Sequence, residues 1–250
     1  MFNGGEAEIR SVVGGNTHEK GGSKVQQGGT GMLLYGGLID QYDFEASGKD
    51  ETGLGRWVHM VLQGEDGIRT RFVCGYNPCP SGKRATKSSY QQHRRYFIRK
   101  ERDRTCPRTR FRQDLIRQLV QWRKEGNRLV VCLDANGNIY NKKLGRDLAS
   151  TNELEMVEVV GNFTGQKVGP TFFRGKEPID SVWATPDVVI TGACVMPVGY
   201  GVGDHRMFVI DFLTSSLIGC NPPKIVRAAA RRLSATIPGV EAKYVSMLRS

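Results

Sequence analysis

Acidic, amide and imidazole side chains adjoin three of the apolar runs in this 250-residue sequence, at the point where each run begins or ends. Their positions are Asp134 with Asn136, Asp180, and Asp204 with His205. Carboxylate oxygens are the ligands that Mg²⁺ prefers. A histidine that is hydrogen-bonded to a carboxylate can donate a proton to a phosphate. One such position is compatible with an ordinary solvated turn, but three in one strand-rich chain predict metal-assisted phosphoryl transfer.

The elements that must hold these side chains are predicted from the period of the apolar residues. Strands are expected over residues 9–13, 30–39, 57–62, 68–75, 129–133, 178–184, 188–198 and 207–210. Apolar residues at helical spacing predict an amphipathic helix over residues 109–125. The residues that show this spacing are Phe111, Leu115, Leu119 and Trp122. Because strands outnumber helices, the pattern favours a β-sandwich with helices packed outside it.

The positive charge of the chain is large and unevenly distributed. The formal net charge is +11, and residues 81–128 carry 16 Lys/Arg against 4 Asp/Glu, a local +12. Residues 222–250 add 6 basic residues against 1 acidic residue, a local +5. A basic segment on a neutral-to-acidic body predicts a polyanionic partner, with nucleic acid favoured over a membrane. The alternative is a charged, solvated face without a partner.

The cysteines and the apolar content indicate the compartment. None of the six cysteines forms a Cys-x-x-Cys pair, and no histidine lies near them at zinc-ligand spacing. The sequence shows neither a secretory leader nor an apolar stretch as long as a membrane span. We therefore expect an intracellular, reducing location without membrane association, and the choice between nucleus and cytoplasm stays open.

Three acidic motifs carry a resemblance to a known family. They are Leu-Asp134-Ala-Asn136, Pro-Ile-Asp180-Ser-Val and Gly-Asp204-His205-Arg. In this order and spacing they resemble the catalytic motifs of the deoxyribonuclease I-like endonuclease/exonuclease/phosphatase superfamily. Three further stretches resemble its environmental and retroelement-type members: Gln26-Gln-Gly-Gly-Thr30, Gly53-Leu-Gly-Arg-Trp57 and Gly75-Tyr76-Asn-Pro78. The resemblance covers roughly residues 25–215.

The resemblance implies an α/β (α+β) fold, a four-layered sandwich of two mixed β-sheets flanked by helices. It divides the chain into an irregular or truncated N-terminal segment (1–24), the superfamily domain (25–215), and a basic linker with a C-terminal helix (216–250). The implied activity is hydrolysis of nucleic-acid phosphodiester bonds, in the manner of a mobile-element endonuclease.

The resemblance also implies a role for each candidate residue. Asp134 would orient or deprotonate the attacking water, and Asn136 would help to hold the phosphate or the metal. Asp180 would brace His205, which would donate to the scissile phosphate. Tyr76 would face the same phosphate.

A divalent cation, Mg²⁺ or Mn²⁺, is the implied cofactor, with Asp204 and Asp134 as its ligands. The sequence departs from the family here, because members begin with a strand that ends in asparagine and a second that ends in Gln-Glu. That glutamate is their principal metal ligand, whereas Glu6, Glu8 and Glu19 here lie in glycine-rich polar sequence. The departure leaves open a catalytically inactive nucleic-acid-binding protein, and a phosphatase or lipid phosphodiesterase of the same superfamily is a further alternative.

The expected partner is nucleic acid, with DNA favoured over RNA. The predicted contacts are Arg94, Arg95, Tyr96, Arg99, Lys100 and Arg174. Aromatic residues among the basic ones could stack on bases, namely Tyr90, His93, Tyr96 and Phe97.

Overall fold

The structure, a computed structural model, describes residues 9–18, 28–201 and 203–220. These residues belong to one of two compact units of the chain, the one that spans Met1–Cys220. Several predictions concern residues outside the described ranges. They are the glycine-rich start, the glutamates at positions 6, 8 and 19, the first two residues of the Gln26–Thr30 motif, and the basic helix after residue 222.

The described residues form ten strands and five α-helices. The strands are β1 (Ile9–Gly14), β2 (Thr30–Tyr35), β3 (Tyr42–Lys49), β4 (Trp57–Gln63), β5 (Arg69–Tyr76), β6 (Asn127–Asp134), β7 (Val157–Glu158), β8 (Asp180–Ala184), β9 (Ile190–Val195) and β10 (Phe208–Phe212). The helices are α1 (Ser89–Lys100), α2 (Pro107–Lys124), α3 (Lys143–Ser150), α4 (Val159–Thr164) and α5 (Thr214–Ile218). None of these helices is long and apolar enough to cross a membrane.

Six strands form the main sheet, in the order β3-β4-β5-β6-β8-β7. Only β5 and β6 run parallel, and α1 and α2 lie between them in the chain, as a parallel connection requires. The other neighbouring strands pair antiparallel, so the sheet is mixed. The middle parts of β4 and β6 are runs of mostly apolar, buried residues, because both faces of these central strands are covered.

Helices cover one face of this sheet, which we call the outer face. The alternate residues Trp57, Val73 and Val131 pack there against the apolar side of α2. The four residues that predicted this helix, Phe111, Leu115, Leu119 and Trp122, are all buried. The helix begins two residues earlier than predicted because Pro107 suits the first turn, where no backbone N–H needs an acceptor.

Two small antiparallel sheets pack on the opposite face, the inner face. One is formed by β1 and β2 and the other by β9 and β10, and each strand pairs on one side only within the described residues. Leu34 of β2 and Ile210 of β10 pack with Val130 and Val182 of the main sheet. The second layer, expected as one mixed sheet, therefore consists here of two separate pairs of strands.

Packed structure extends beyond the predicted domain boundaries at both ends. The strand β1 pairs along its whole length with β2, although it precedes residue 25. The helix α5 continues past residue 215, and Leu217 and Ile218 are 4% and 3% exposed. The Thr70 hydroxyl donates to the Leu217 carbonyl at 2.7 Å, which attaches this helix to the main sheet.

Candidate active site

The strand register of the main sheet places three predicted site residues in one row. Tyr76 at the end of β5 is the parallel partner of Asp134 at the end of β6, and Asp134 is the antiparallel partner of Asp180 at the start of β8. Directly paired residues share a face of the sheet, and alternation puts this row on the inner face. Two acids opposite each other repel, so the fold places negative charge here at a cost in stability.

His205 reaches the row through the segment that precedes β8. Phe172 and His205 form an isolated antiparallel bridge, and the Arg206 amide donates to the Thr171 carbonyl at 2.7 Å. The fully buried Thr171 hydroxyl accepts the backbone N–H of Asp180 at 3.1 Å. Thr171 thus holds together the two backbone segments that carry Asp180 and His205.

Asp134, Asp180 and His205 form the centre of the candidate site. The Nδ1 atom of His205 lies 2.8 Å from Oδ2 of Asp180, a hydrogen bond that orients the ring. One oxygen or nitrogen ligand atom from each of the three residues lies within 4.8 Å of the others. All three side chains are partly exposed, so a substrate can reach them.

A tight turn after β6 fixes the carboxylate of Asp134. The Asn136 amide donates to Oδ1 of Asp134 at 3.0 Å, and Asn136 adopts a φ of 46°, a left-handed conformation that asparagine tolerates. The Asn136 side chain donates to the Asn77 carbonyl at 2.9 Å. The buried Asn77 donates in turn to the Ala135 carbonyl at 3.1 Å, so the loops after β5 and β6 brace each other.

The environment shifts the pKa values of the site residues in directions that suit acid–base chemistry. Burial, and then the charge of Asp180, raise the pKa of Asp134 to about 6. Partial burial lowers the pKa of His205, but the hydrogen bond and charge of Asp180 outweigh this and raise it above its ordinary value. Burial and the charge of Asp134 raise the pKa of Tyr76, which keeps the phenol protonated. The site therefore combines a proton acceptor with two proton donors.

The site lies at one end of an apolar groove of about 680 Å³ on the inner face. Phe72, Cys74, Val130 and Cys132 of the central strands line it, together with residues of β2 and β10. Apolar surface predominates in the groove as a whole. The low polarity of the groove explains why burial is the largest cause of the raised pKa of Asp134.

The carboxylates of Asp134 and Asp180 fit a hard divalent cation. Both supply oxygen ligands, and burial together with the charge of Asp180 disfavours the negative charge of Asp134, which a cation would offset. His205 is already engaged by Asp180 and is better placed as a hydrogen-bond donor than as a metal ligand. The exposed Asp204 is outside the three-residue cluster, and its role as a metal ligand stays a prediction.

The predicted nucleic-acid contacts fall on two separate elements. Five of them belong to α1, where Arg99 and Lys100 are exposed, while Tyr96 stacks against His18 with ring centroids 4.5 Å apart. The sixth, the exposed Arg174, lies beside the His205 segment. His93 and Phe97, predicted to stack on bases, are only 2% and 0% exposed. That prediction was wrong for both, because they lie one helical turn apart on the buried face of α1.

Three site residues were not identified from the sequence. Arg206 lines the groove, and its side chain makes no hydrogen bond or ion pair with any described residue. Phe173 is 59% exposed and its amide donates to the Asp204 carbonyl at 2.8 Å. Arg108 donates to the carbonyls of Pro78 and Ala135 at 2.9 and 3.0 Å and so fixes both loops of the site. Adjacency to the Gly-Asp-His motif could have indicated Arg206, whereas the other two depend on tertiary contacts.

Solved structures share this architecture. The catalytic domain of human Nocturnin, determined with a bound sulfate anion, has 16% sequence identity and a TM-score of 0.54, covering 82% of this chain and 72% of its own. An endonuclease/exonuclease/phosphatase from Bacteroides vulgatus has 13% identity and a TM-score of 0.50, with 82% and 76% covered. No protein-family model matches the sequence, and no curated protein sequence matches it. The mixed six-stranded sheet, the smaller sheets and the flanking helices match the fold of these two structures, the deoxyribonuclease I-like fold.

Proposed function

We propose that this chain is a divalent-metal-dependent phosphodiesterase that hydrolyses nucleic acid as a mobile-element-type endonuclease. The observation that carries the proposal is the convergence of Asp134, Asp180 and His205, whose ligand atoms lie within 4.8 Å of one another. The fold, shared with superfamily hydrolases, supports the same reaction class.

The chemistry follows from the protonation state of each group. Asp134 accepts a proton from the attacking water and orients that water for attack on the phosphorus atom. Asp180 raises the pKa of His205 against the effect of burial, which favours the imidazolium form; this form would donate a hydrogen bond from Nε2 to a non-bridging phosphate oxygen and stabilise the charge that develops there. Tyr76 and Arg206 add a neutral and a charged donor at the same end of the groove.

Mg²⁺ or Mn²⁺ would be held by carboxylate oxygens of Asp134 and Asp180, with Asp204 as a further candidate. When bound, the cation supplies Lewis-acid stabilisation of the phosphate oxygens and lowers the pKa of a bound water. A positive charge beside Asp134 also lowers the pKa of this carboxyl, which makes it available as a base at neutral pH.

The substrate class rests on the distribution of positive charge. Much of the basic segment is paired within the protein, as in Arg110 with Asp103 and Arg123 with Asp187. Other basic side chains form no ion pair with the described residues, namely Lys83, Arg84, Lys87, Arg94, Arg99 and Lys100. They belong to the loop that follows the site strand β5 and to α1, which suits a phosphate backbone running across the site. We propose DNA as the substrate in preference to RNA.

A catalytically inactive nucleic-acid-binding protein is the second candidate. The observation that favours it is the small number of carboxylates, since only two acids belong to the described cluster and one of them is engaged by His205. A phosphatase or lipid phosphodiesterase stays a third candidate, although exposed cations rather than exposed apolar side chains dominate the loop after β5.

The decisive experiment is nicking of supercoiled plasmid by the 250-residue chain, with Mg²⁺ and with EDTA. His205→Ala and Asp134→Asn are compared with Asp66→Asn, an exposed position whose left-handed φ of 52° asparagine also adopts. We expect Mg²⁺-dependent nicking that falls by about 10²-fold or more in the first two variants and is unchanged in the third.

The other outcomes discriminate between the alternatives. Salt-sensitive DNA binding without nicking by the wild type would support the inactive binding protein. Release of phosphate from a terminal monoester without nicking would support a phosphatase. An RNA substrate of the same sequence, cleaved faster than the DNA, would contradict the proposed preference.

A further inference from the structure

A second cleft of about 860 Å³ lies on the outer face of the main sheet, away from the candidate active site. It is formed by β3 and α2 above the strands β4 and β5. His59 and Arg71 belong to its floor, and Trp122 of α2 contacts both of them. The cleft is thus lined by a cation, an imidazole and an indole.

Arg71 is the unusual residue of this cleft. It is 4% exposed, and its guanidinium lies over the Trp122 ring, 4.4 Å from the centroid. A single nitrogen, Nη1, makes both of its hydrogen bonds, to the Ala46 carbonyl at 2.8 Å and to Nδ1 of His59 at 2.7 Å. Nε is buried without a partner, and Nη2 bonds to no described residue. The Nε–Nη2 edge, which binds carboxylate or phosphate in bidentate fashion, is therefore unused.

Arg56, in the same cleft, provides an internal comparison. It is 1% exposed, and its Nε and Nη2 atoms donate to the two carboxylate oxygens of Asp50 at 2.7 and 2.9 Å. Its Nη1 atom donates to Asp114 at 2.7 Å. Two acids thus form ion pairs with the buried Arg56, whereas no described acid forms one with the buried Arg71. Burial lowers the pKa of Arg71 to about 10, whereas the acids raise the pKa of Arg56 against the effect of burial.

The nearest acids to Arg71 are occupied elsewhere. Asp43 and Glu125 both act electrostatically on Arg71, but neither is within ion-pair distance of it. Asp43 pairs with Arg69 at 3.3 Å, and Glu125 accepts from the Gln121 side chain at 3.0 Å. No described carboxylate forms an ion pair with Arg71.

His59 supplies a second free donor. An arginine can only donate, so Nδ1 of His59 must accept from Arg71, which places the proton of the neutral ring on Nε2. Burial and the charge of Arg71 lower the pKa of His59 to about 4, so this tautomer persists at neutral pH. Its Nε2–H has no partner among the described residues.

We propose that this cleft binds an oxyanion, a carboxylate or phosphate group, on the free edge of Arg71. Such a ligand supplies the negative charge that Asp50 supplies to Arg56. Because Nε is closed to solvent, full engagement of the edge requires a small rearrangement of the side chains around it. The site is independent of the proposed nuclease activity.

The test is an NMR titration of the 250-residue chain with methyl phosphate and, separately, with acetate, at constant ionic strength maintained with NaCl. We expect saturable shifts of the Trp122 indole and His59 imidazole signals with at least one of the two anions and none with chloride. Comparison of the two anions assigns the ligand chemistry. Arg71→Lys keeps the charge and most of the packing but loses the planar fork, and should weaken binding about tenfold or more.

Arg117→Met is the control for a general effect of positive charge, because it removes a charge from the rim of the cleft, where Arg117 is 76% exposed. Its affinity should stay within about twofold of the wild type, since exposed charges are screened by salt. The proposal fails if neither anion shifts the two signals. It also fails if Arg117→Met weakens binding as much as Arg71→Lys, or if the shifts occur at His205 instead.

Discussion

Asp134 should cost the protein stability in the absence of a cation, and Asp134→Asn should therefore stabilise the fold at neutral pH. The carboxyl is held among apolar groups and opposite Asp180, and its pKa of about 6 lies above the ordinary 3.8. Asparagine has nearly the same shape, and its amide oxygen can still accept the Asn136 N–H that now bonds to Oδ1. The substitution removes the charge while it retains the turn.

The magnitude follows from linkage between protonation and folding. A carboxyl with a pKa near 6 in the folded protein and near 3.8 in the unfolded chain lowers the free energy of unfolding by about 3 kcal/mol at pH 7 and above. Because the folded pKa is the higher one, the wild type loses this stability as the pH rises from about 4 through 6. The difference between variant and wild type should thus be about 0.5 kcal/mol at pH 4 and reach about 2 to 3 kcal/mol at pH 8.

Urea denaturation in EDTA at pH 4, 6 and 8 measures this difference directly. Asp66→Asn is the control, because this exposed aspartate should change the free energy of unfolding by no more than about 0.5 kcal/mol at any pH. The electrostatic explanation is wrong if Asp134→Asn is no more stable than the wild type at pH 8. It is also wrong if the substitution stabilises the protein as much at pH 4 as at pH 8.

Further measurements test other parts of the structure. Mg²⁺ should raise the melting temperature of the wild type but not of Asp134→Asn, because a ligand stabilises only the state that binds it. Leu119→Ala should lower the free energy of unfolding by about 2 to 5 kcal/mol in urea denaturation, since this helix residue is 0% exposed. Gly145→Ala should destabilise by about 1 to 3 kcal/mol in the same assay, because an added Cβ would clash with the Ile139 carbonyl oxygen. Arg206→Met should reduce kcat/KM for plasmid nicking about ten- to hundredfold while Mg²⁺ binding, measured by calorimetry, is retained.

The sequence contained enough information for the strongly periodic elements. The helix α2 and the central strands β5 and β6 were predicted within a few residues, because a buried helix stripe and a buried strand leave distinct patterns. The cross-strand row of Tyr76, Asp134 and Asp180 follows once these strands are paired. Each of these three residues lies in a short sequence motif. The sequence could therefore indicate them before the pairing of the strands was known.

The helix α1 was missed although a signal for its start exists. Ser88 is its N-cap and accepts the Gln91 backbone N–H at 3.3 Å, and a serine followed three residues later by glutamine is the pattern of a capping box. The interpretation of this segment as a basic, aromatic surface ignored which residues share a helix face. His93 and Phe97 consequently looked available although they pack inward.

The strand β3 and the cleft beside it could not be predicted. Its pairing with β4 shifts register between Asp43 and Gly48, so its residues do not alternate in polarity. The shift is held by tertiary contacts, including the Ser47 hydroxyl that accepts the Val61 N–H at 2.9 Å. It also places the Ala46 carbonyl on Arg71 at 2.8 Å, a contact between residues 25 positions apart for which the sequence gives no local sign.

The electrostatics of the groove connect the stability of the fold with its proposed chemistry. Apolar residues such as Phe72 and Val130 leave the carboxylate of Asp134 poorly solvated, which raises its pKa and costs folding free energy. The same low polarity strengthens the attraction between this carboxylate and a cation, because fewer solvent dipoles screen the charges. A more polar groove floor would raise the free energy of unfolding and would also weaken the binding of a cation. The unfavourable burial of Asp134 and the proposed cation binding thus have the same physical cause, the low polarity of the groove.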